Sequence, residues 1–418
     1  MLLENNKRTN QRDETKPLCL AMFCMAFLQG IWWIAIPFII NRLHGSDAQV
    51  GNCCALQLGG YIAGCLIARL CLDKLNARIT TLSSLVLLLM ATIATLLLLY
   101  STPDPVSSAQ GIRFLLCLSG LSGLIQAFFW PFVMAWLSTG YEGSQLNRKL
   151  GWLNVSWTSG RLISPLIGGI LVQYSSTTPI SAMILCIVAA FLCVCLAPPP
   201  HQQDPLPQPP GSPAPPNDLS TSLAITFRWM ALLALVSSSI CIALIRSQMG
   251  LLFKYELGLS ESDFGLVNTF LALATFLIML FTGKTSAWHY RLGFFVAAHI
   301  LILLTFIAIL AASRLPVFYL LIVVFGGSFG FLFASHLYYV VAGSRNRSAR
   351  MLLHELGGST GMFIGSLTGG YLSDSFGRYM PYWFGIAVIG VTCLAQWLIW
   401  LAHKPKNHDK AAIPPLKS

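Results

Sequence analysis

The chain has 418 residues, 55% of them hydrophobic and 10% charged, with a mean hydropathy of +0.68. So few ionic side chains cannot cover the surfaces of two or three soluble domains, which excludes soluble enzymes, secreted disulfide scaffolds and disordered binders. The formal charge of +11, from 26 basic and 15 acidic residues, leaves a choice between a nucleic-acid patch and a charge bias across a bilayer.

In chain order, residues 1–16 are a polar tail, too acidic for a cleavable signal, so the first apolar run is expected to act as an uncleaved insertion signal. Apolar segments follow at 17–41, 48–71, 79–100, 113–138, 150–173 and 178–197, then at 224–250, 264–283, 292–312, 317–341, 351–373 and 380–402. Each matches the roughly 20 residues of one bilayer crossing, and each is expected to be helical because lipid leaves no partner for free backbone groups. Between the sixth and seventh, Ala197 to Asp218 holds ten of the 22 prolines, an extended linker that cannot form a packed core. The expected organisation is all-α and polytopic. It has a cytoplasmic tail (1–16), a six-helix half (17–197), a cytoplasmic linker (198–222), a second six-helix half (223–402) and a cytoplasmic tail (403–418).

The basic residues sort by side. Nineteen flank one set of alternate loops and both tails, and only Arg42, Arg113, Arg246, Lys254, Arg314 and Arg378 flank the other, with Arg161 left inside a run. By the positive-inside rule both termini are expected to be cytoplasmic in a multi-pass cell-membrane protein, with no nucleic-acid partner. Ten of the twelve cysteines lie within apolar runs and none forms a C-x-x-C pair, so no metal or other cofactor is expected.

The halves echo one another. Gly160-x-x-x-Ser164-x-x-x-Gly168-Gly169 in the fifth span recurs as Gly361-x-x-x-Gly365-x-x-x-Gly369-Gly370 in the eleventh, at the same ordinal position in each half. Ser46-Asp47-x-x-x-Gly51 before the second span pairs more weakly with Ser260-x-x-Asp263-x-Gly265 before the eighth. Small residues every fourth position also serve plain helix packing.

With its span count, central linker and repeat, the whole chain resembles the major facilitator superfamily. The loop after the second span, Arg69-Leu-Cys-Leu-Asp73-Lys74-Leu-Asn76-Ala77-Arg78, is similar to that family's G-x-x-x-D-[RK]-x-G-[RK]-[RK] signature. Asp73, Lys74 and Arg78 match, Arg69 and Asn76 replace the glycines, and the counterpart loop Gly283 to Arg291 has Ala287 at the acidic position. The resemblance implies a releasable latch, with Asp73 facing the start of the eleventh span near Arg350, His354 and Glu355; a basic anchor with a solvated Asp is the other reading. Ser164-Pro165-x-x-Gly168-Gly169 is similar to the family's antiporter motif G-P-x-x-G-G, which implies a bending surface and a lean toward antiport. Gly365, Gly369 and Gly370 are the matching gating positions of the second half.

Arg161 lies about eleven residues into its span, roughly mid-bilayer. An unpaired cation there costs on the order of 3 kcal/mol or more, and three arrangements answer it: a water-filled cavity with an anionic substrate, a reach to Glu355, or backbone carbonyls with Trp157. Further candidates for the substrate site are Trp33, Gln57, Gln126, Trp130, Asn154 and His336, and Glu355, His354 and His336 are the candidate coupling groups. With no phosphate-cradling loop or nucleophile elbow, the chain is not expected to be an enzyme. The expected function is alternating-access transport of a small anionic or amphipathic solute by a monomer, with protons as the candidate coupling ion in an antiport mode. A transporter-like sensor or lipid-handling protein is the alternative.

Overall fold

The computed structural model describes residues 14–71, 74–101, 105–138, 143–199, 221–341 and 347–402. Among these, the helices are α1 (Thr15–Arg42), α2 (Asp47–Cys71), α3 (Ala77–Ser101), α4 (Pro105–Gln126), α5 (Trp130–Ser138), α6 (Gly143–Tyr174) and α7 (Thr177–Leu196), followed by α8 (Thr221–Glu256), α9 (Glu261–Lys284), α10 (Leu292–Ala311), α11 (Leu315–Val341), α12 (Arg347–Phe376) and α13 (Met380–Ala402). There is no strand among the described residues.

Helices α4 and α5 form one span with a break at Ala127–Phe129. Pro131 has no N–H for the carbonyl of residue 127 and its ring collides with it, so the chain tightens there. Phe128 and Phe129 donate to Ile125 and Gln126, three residues back, at 3.0 Å each. Pro165, by contrast, is absorbed inside a continuous α6. Among the described residues the result is twelve spans, and eleven stretches are long and apolar enough to cross a membrane. The exception is α12, which carries Arg350, His354, Glu355 and Asp374. It packs between α2 and α8, so protein rather than lipid surrounds much of its length.

The packing repeats. In the first six spans α1 lies along α6 and α2 along α4; in the last six α8 lies along α12 and α9 along α11. These are the same ordinal pairs, first with fifth and second with fourth, as duplication of a six-span unit requires. The two sets meet through α2 against α12 and α6 against α9. Leucines, phenylalanines and tryptophans such as Leu97, Phe281, Leu320, Leu394 and Trp397 are exposed on the outside. A continuous apolar exterior of this kind is solvated by lipid.

All twelve cysteines are free. The even number of spans puts the first and last helix ends on one side of the bundle, called here the terminal end; the opposite side is the distal end.

Candidate functional site

At the distal end the two sets of spans touch backbone to backbone. A Cβ added to Gly51 would lie 2.4 Å from the Ser366 carbonyl oxygen and 2.8 Å from the Gly370 Cα; one added to Gly265 would lie 2.5 Å from the Pro165 carbonyl oxygen and 3.0 Å from the Gly169 Cα. The two echoes in the sequence therefore face each other, each strong motif crossing the weak motif of the other half. Side chains reinforce the contact. Asp47 accepts hydrogen bonds from Ser373 Oγ at 2.6 Å and Arg378 Nε at 3.1 Å. Arg378 also donates to Glu256 at 3.2 Å and lies 4.4 Å over the Tyr255 ring. Arg42 faces Glu261 at 3.7 Å, and the Tyr255 hydroxyl donates to Asn41. Among the described residues, the ion pairs that cross between the two sets lie at this end, while at the terminal end the buried pair Lys149–Glu14, at 2.6 Å, stays within the first set.

Halfway along α6, Arg161 is half-buried. Its Nη2 donates to Gln29 Oε1 at 3.0 Å, and Gln29 Nε2 donates to Gln126 Oε1 at 2.7 Å. The guanidinium lies 4.9 Å from the Trp157 ring centroid. A hydrogen bond to a charged group is worth about 1.5–3 kcal/mol and a desolvated cation–π contact up to about 2 kcal/mol. Together they match the cost of holding a cation at this depth without a carboxylate. Glu355, exposed on α12, lies within electrostatic reach of Arg161 and of Tyr61 and Cys65 on α2 without a direct ion pair. The sequence offers these three arrangements for Arg161 as rivals; the structure combines Trp157 with a long-range Glu355 and adds Gln29 in place of backbone carbonyls.

The other expected site residues separate. Asn154 and Trp157 share the accessible side of α6 below Arg161. Gln57 and Gln126 line a cavity of about 20 Å³ inside the first six spans, with Trp32, Leu88, Ser122 and Met183; this is room for about one water. Trp33 and Trp130 are buried, Trp130 edge-on to Phe129 at 5.4 Å between centroids. His336 does not join Arg161. It is wholly buried, with Nδ1 2.8 Å from Nδ1 of His354, also buried. The pair is therefore a contact within the last six spans. Arg246, placed by charge counting at a loop flank, lies inside α8, ten residues before its end at Glu256; the helix runs six residues beyond the expected boundary. Gln29 and Tyr61 are further neighbours of Arg161 that the sequence did not single out, although an amide in the middle of the apolar run of α1 is a legible signal.

Of the expected gating residues, Ser164 is buried and crosses α1 so tightly that a Cβ on Gly30 would fall 1.7 Å from its Oγ. Gly168 packs on Ile31 and Ile34, Gly365 on Ile240, and Gly369 on Leu244. Asp73 lies outside the described residues. Lys74 is exposed, and Arg78 donates to the Cys195 carbonyl at 2.9 Å, at the end of α7 in its own half. The eroded counterpart loop packs as an aromatic cluster within its own half. Trp288 and Tyr290 are buried, and Tyr290, at φ 56°, donates its N–H to the Tyr339 hydroxyl at 2.7 Å. Burial pushes the Tyr290 phenol up to about 12. Among the described residues no cluster of three or more His, Cys, Asp or Glu is arranged to hold a metal ion.

The fold matches solved transporters along nearly its whole length. The nucleoside transporter NupG superimposes with a TM-score of 0.69 at 11% identity, over 94% of this chain and 100% of that one. A bacterial homologue of the human lysosomal transporter Spinster, in an inward-facing occupied conformation, gives 0.71 at 14% identity over 94% and 97%. An inward-facing bacterial homologue of the iron transporter ferroportin gives 0.66 at 13% over 92% and 98%. No curated protein sequence matches this chain. The family model for the Major Facilitator Superfamily matches residues 18–345 and 231–417. Two packed sets of six spans, crossing at repeated glycines, thus have the family's sequence profile as well as its fold, and the chain belongs to the major facilitator superfamily of membrane transporters.

Proposed function

We propose that this transporter carries a small organic anion across the cell membrane by alternating access, with residues 17–197 and 223–402 rocking about the site and 198–222 as the cytoplasmic linker. The observation that carries the reading is Arg161, a mid-membrane guanidinium held by Gln29 and Trp157 rather than neutralised by a carboxylate. Those contacts offset its burial but leave its charge uncancelled, and an ionisable group at this depth is a mark of a functional site. The positive-inside bias places both termini in the cytoplasm, so a bundle sealed at the distal end and accessible beside Glu355 is an inward-facing form. Glu355 is the candidate proton carrier of an exchange mode, because it is the accessible carboxylate in electrostatic contact with Arg161.

Solute counterflow in proteoliposomes tests the reading. Arg161→Ala is expected to abolish anion exchange while expression and membrane insertion stay normal; retained exchange removes Arg161 from the solute site. Exchange that ignores both external pH and a proton ionophore removes the proton coupling and leaves the anion assignment intact.

A further inference from the structure

We propose that Arg246 is the second cation of this site, and that the solute is a compact monoanion gripped by one guanidinium from each half. The inference rests on the anion reading above and adds to it the contact from the opposite half and the charge of the solute.

The placement comes first from helix geometry. Arg246 lies one turn before Gly250 on α8, so the two share a face. Gly250 points at the first half, since a Cβ there would lie 2.9 Å from Phe38 Cζ on α1. The contacts of α8 with α12 use a different row, Val236, Ile240 and Leu244 against Gly361, Gly365 and Gly369. At 100° per residue Arg246 stands about 200° round the helix from Leu244, away from that seam. Its face is therefore turned across the molecular divide.

Height agrees with direction. Arg246 is ten residues before the distal end of α8 and Arg161 thirteen before the distal end of α6, about 15 Å and 20 Å at 1.5 Å per residue, a difference of roughly one turn. Both helices run from the terminal end, and long helical side chains lean toward the N-terminus, as Arg161 does in stacking on Trp157. The two guanidiniums interact electrostatically. Arg246 is half-buried and has no hydrogen-bond or ion-pair partner among the described residues.

Charge then sets the solute class. Two guanidiniums and Glu355 sum to a single positive charge, which a monoanion cancels. A carboxylate has two oxygens to share between two planar donor groups, and guanidinium forks are shaped for that exchange. An anion bridging α6 and α8 replaces the repulsion between the halves at this level with a tether, so occupancy itself favours their approach.

Counterflow of radiolabelled anions by the full-length protein in proteoliposomes tests the proposal, with benzoate and pyruvate as monoanions and phthalate and malonate as dianions. The expected result is exchange of a monoanion, a rise in KM of about tenfold or more with little change in kcat for Arg246→Gln, and substantial recovery by Arg246→Lys. Glu355→Gln leaves two positive charges and is expected to move preference from the monoanion to the matched dianion. Wild-type KM in both Arg246 variants, with exchange lost in Arg161→Ala, overturns the clamp and leaves the anion reading standing. No exchange of any of the four by the wild type, or full exchange by Arg161→Ala, overturns the anion reading itself. Should Arg246→Gln not insert, a wild-type KM for Arg246→Lys together with unchanged preference in Glu355→Gln overturns the clamp.

Discussion

At the α2–α12 seam Gly51 meets Gly370, and Asp47 reaches across the divide to Ser373 and Arg378. At the α6–α9 seam Gly169 meets Gly265 in the same way, but Asp263 turns back, accepting from the backbone N–H and hydroxyl of Ser260 to cap its own helix. Duplication supplied both seams with the same backbone crossing and with an acid near the same place. Of these two acids only Asp47 reaches the other half, and at the second seam its place is taken by Glu261, which faces Arg42 of α1. The glycine crossings make both seams close and reversible, since they bury backbone without side chains to disentangle. Both seams also carry an ionic contact across the divide, Asp47 with Arg378 at 3.1 Å at the first and Arg42 with Glu261 at 3.7 Å at the second, so they differ in how closely the charges meet.

The strongest way to break the comparison is to fill the crossings. Gly51→Leu and Gly265→Leu each place side-chain atoms where 2.4–2.5 Å separates a Cβ from a backbone carbonyl, and overpacking against rigid backbone costs up to about 3 kcal/mol. Both are expected to reduce transport by about 100-fold through loss of the distally closed form, measured by solute counterflow. A large effect at one seam alone would show that the seams are not equivalent. Arg378→Ala separates them next. Loss of the cation facing buried Asp47, discounted for partial exposure, is expected to shift the equilibrium by about 2 kcal/mol, or about 30-fold, toward the distally open form. The check is the rate at which a membrane-impermeant maleimide labels Ser366→Cys beneath the seam. Asp263→Ala should cost about 1 kcal/mol of local helix stability and leave that rate unchanged. A smaller effect belongs to the centre: Gln29→Leu removes the bond that holds Arg161 and is expected to raise KM about tenfold with kcat nearly intact. Tyr255→Phe, which loses only the exposed bond to Asn41, should alter labelling less than about fivefold.

Much of this molecule is legible in its sequence. Hydropathy gave the spans because solvation by lipid acts on each residue where it stands, whatever its neighbours in space. The glycine motifs announced the seams because close approach requires small residues at fixed spacing. Arg161 stood out since a charge eleven residues into a span is anomalous by itself. Arg246 escaped because it lies within a few residues of where its apolar run ends, and a local rule cannot tell a long helix with a cation inside from a shorter one with a cation at its mouth. The facing of His336 was hidden for a related reason. Its place along α11 was readable, but the face it occupies was set by the ring of His354 opposite.

The sequence by itself therefore determined what depends on one dimension: how many times the chain crosses, which loops carry the cations, and that two halves repeat. Tertiary structure alone decided what depends on facing. It brought the motif of one half onto the echo of the other, assigned Asp47 to the divide and Asp263 to a cap, and set Arg161 beside Gln29 with Arg246 across from it. Facing is fixed by packing among residues far apart in the chain, and the energy of a charge in a membrane depends on whatever packing places next to it.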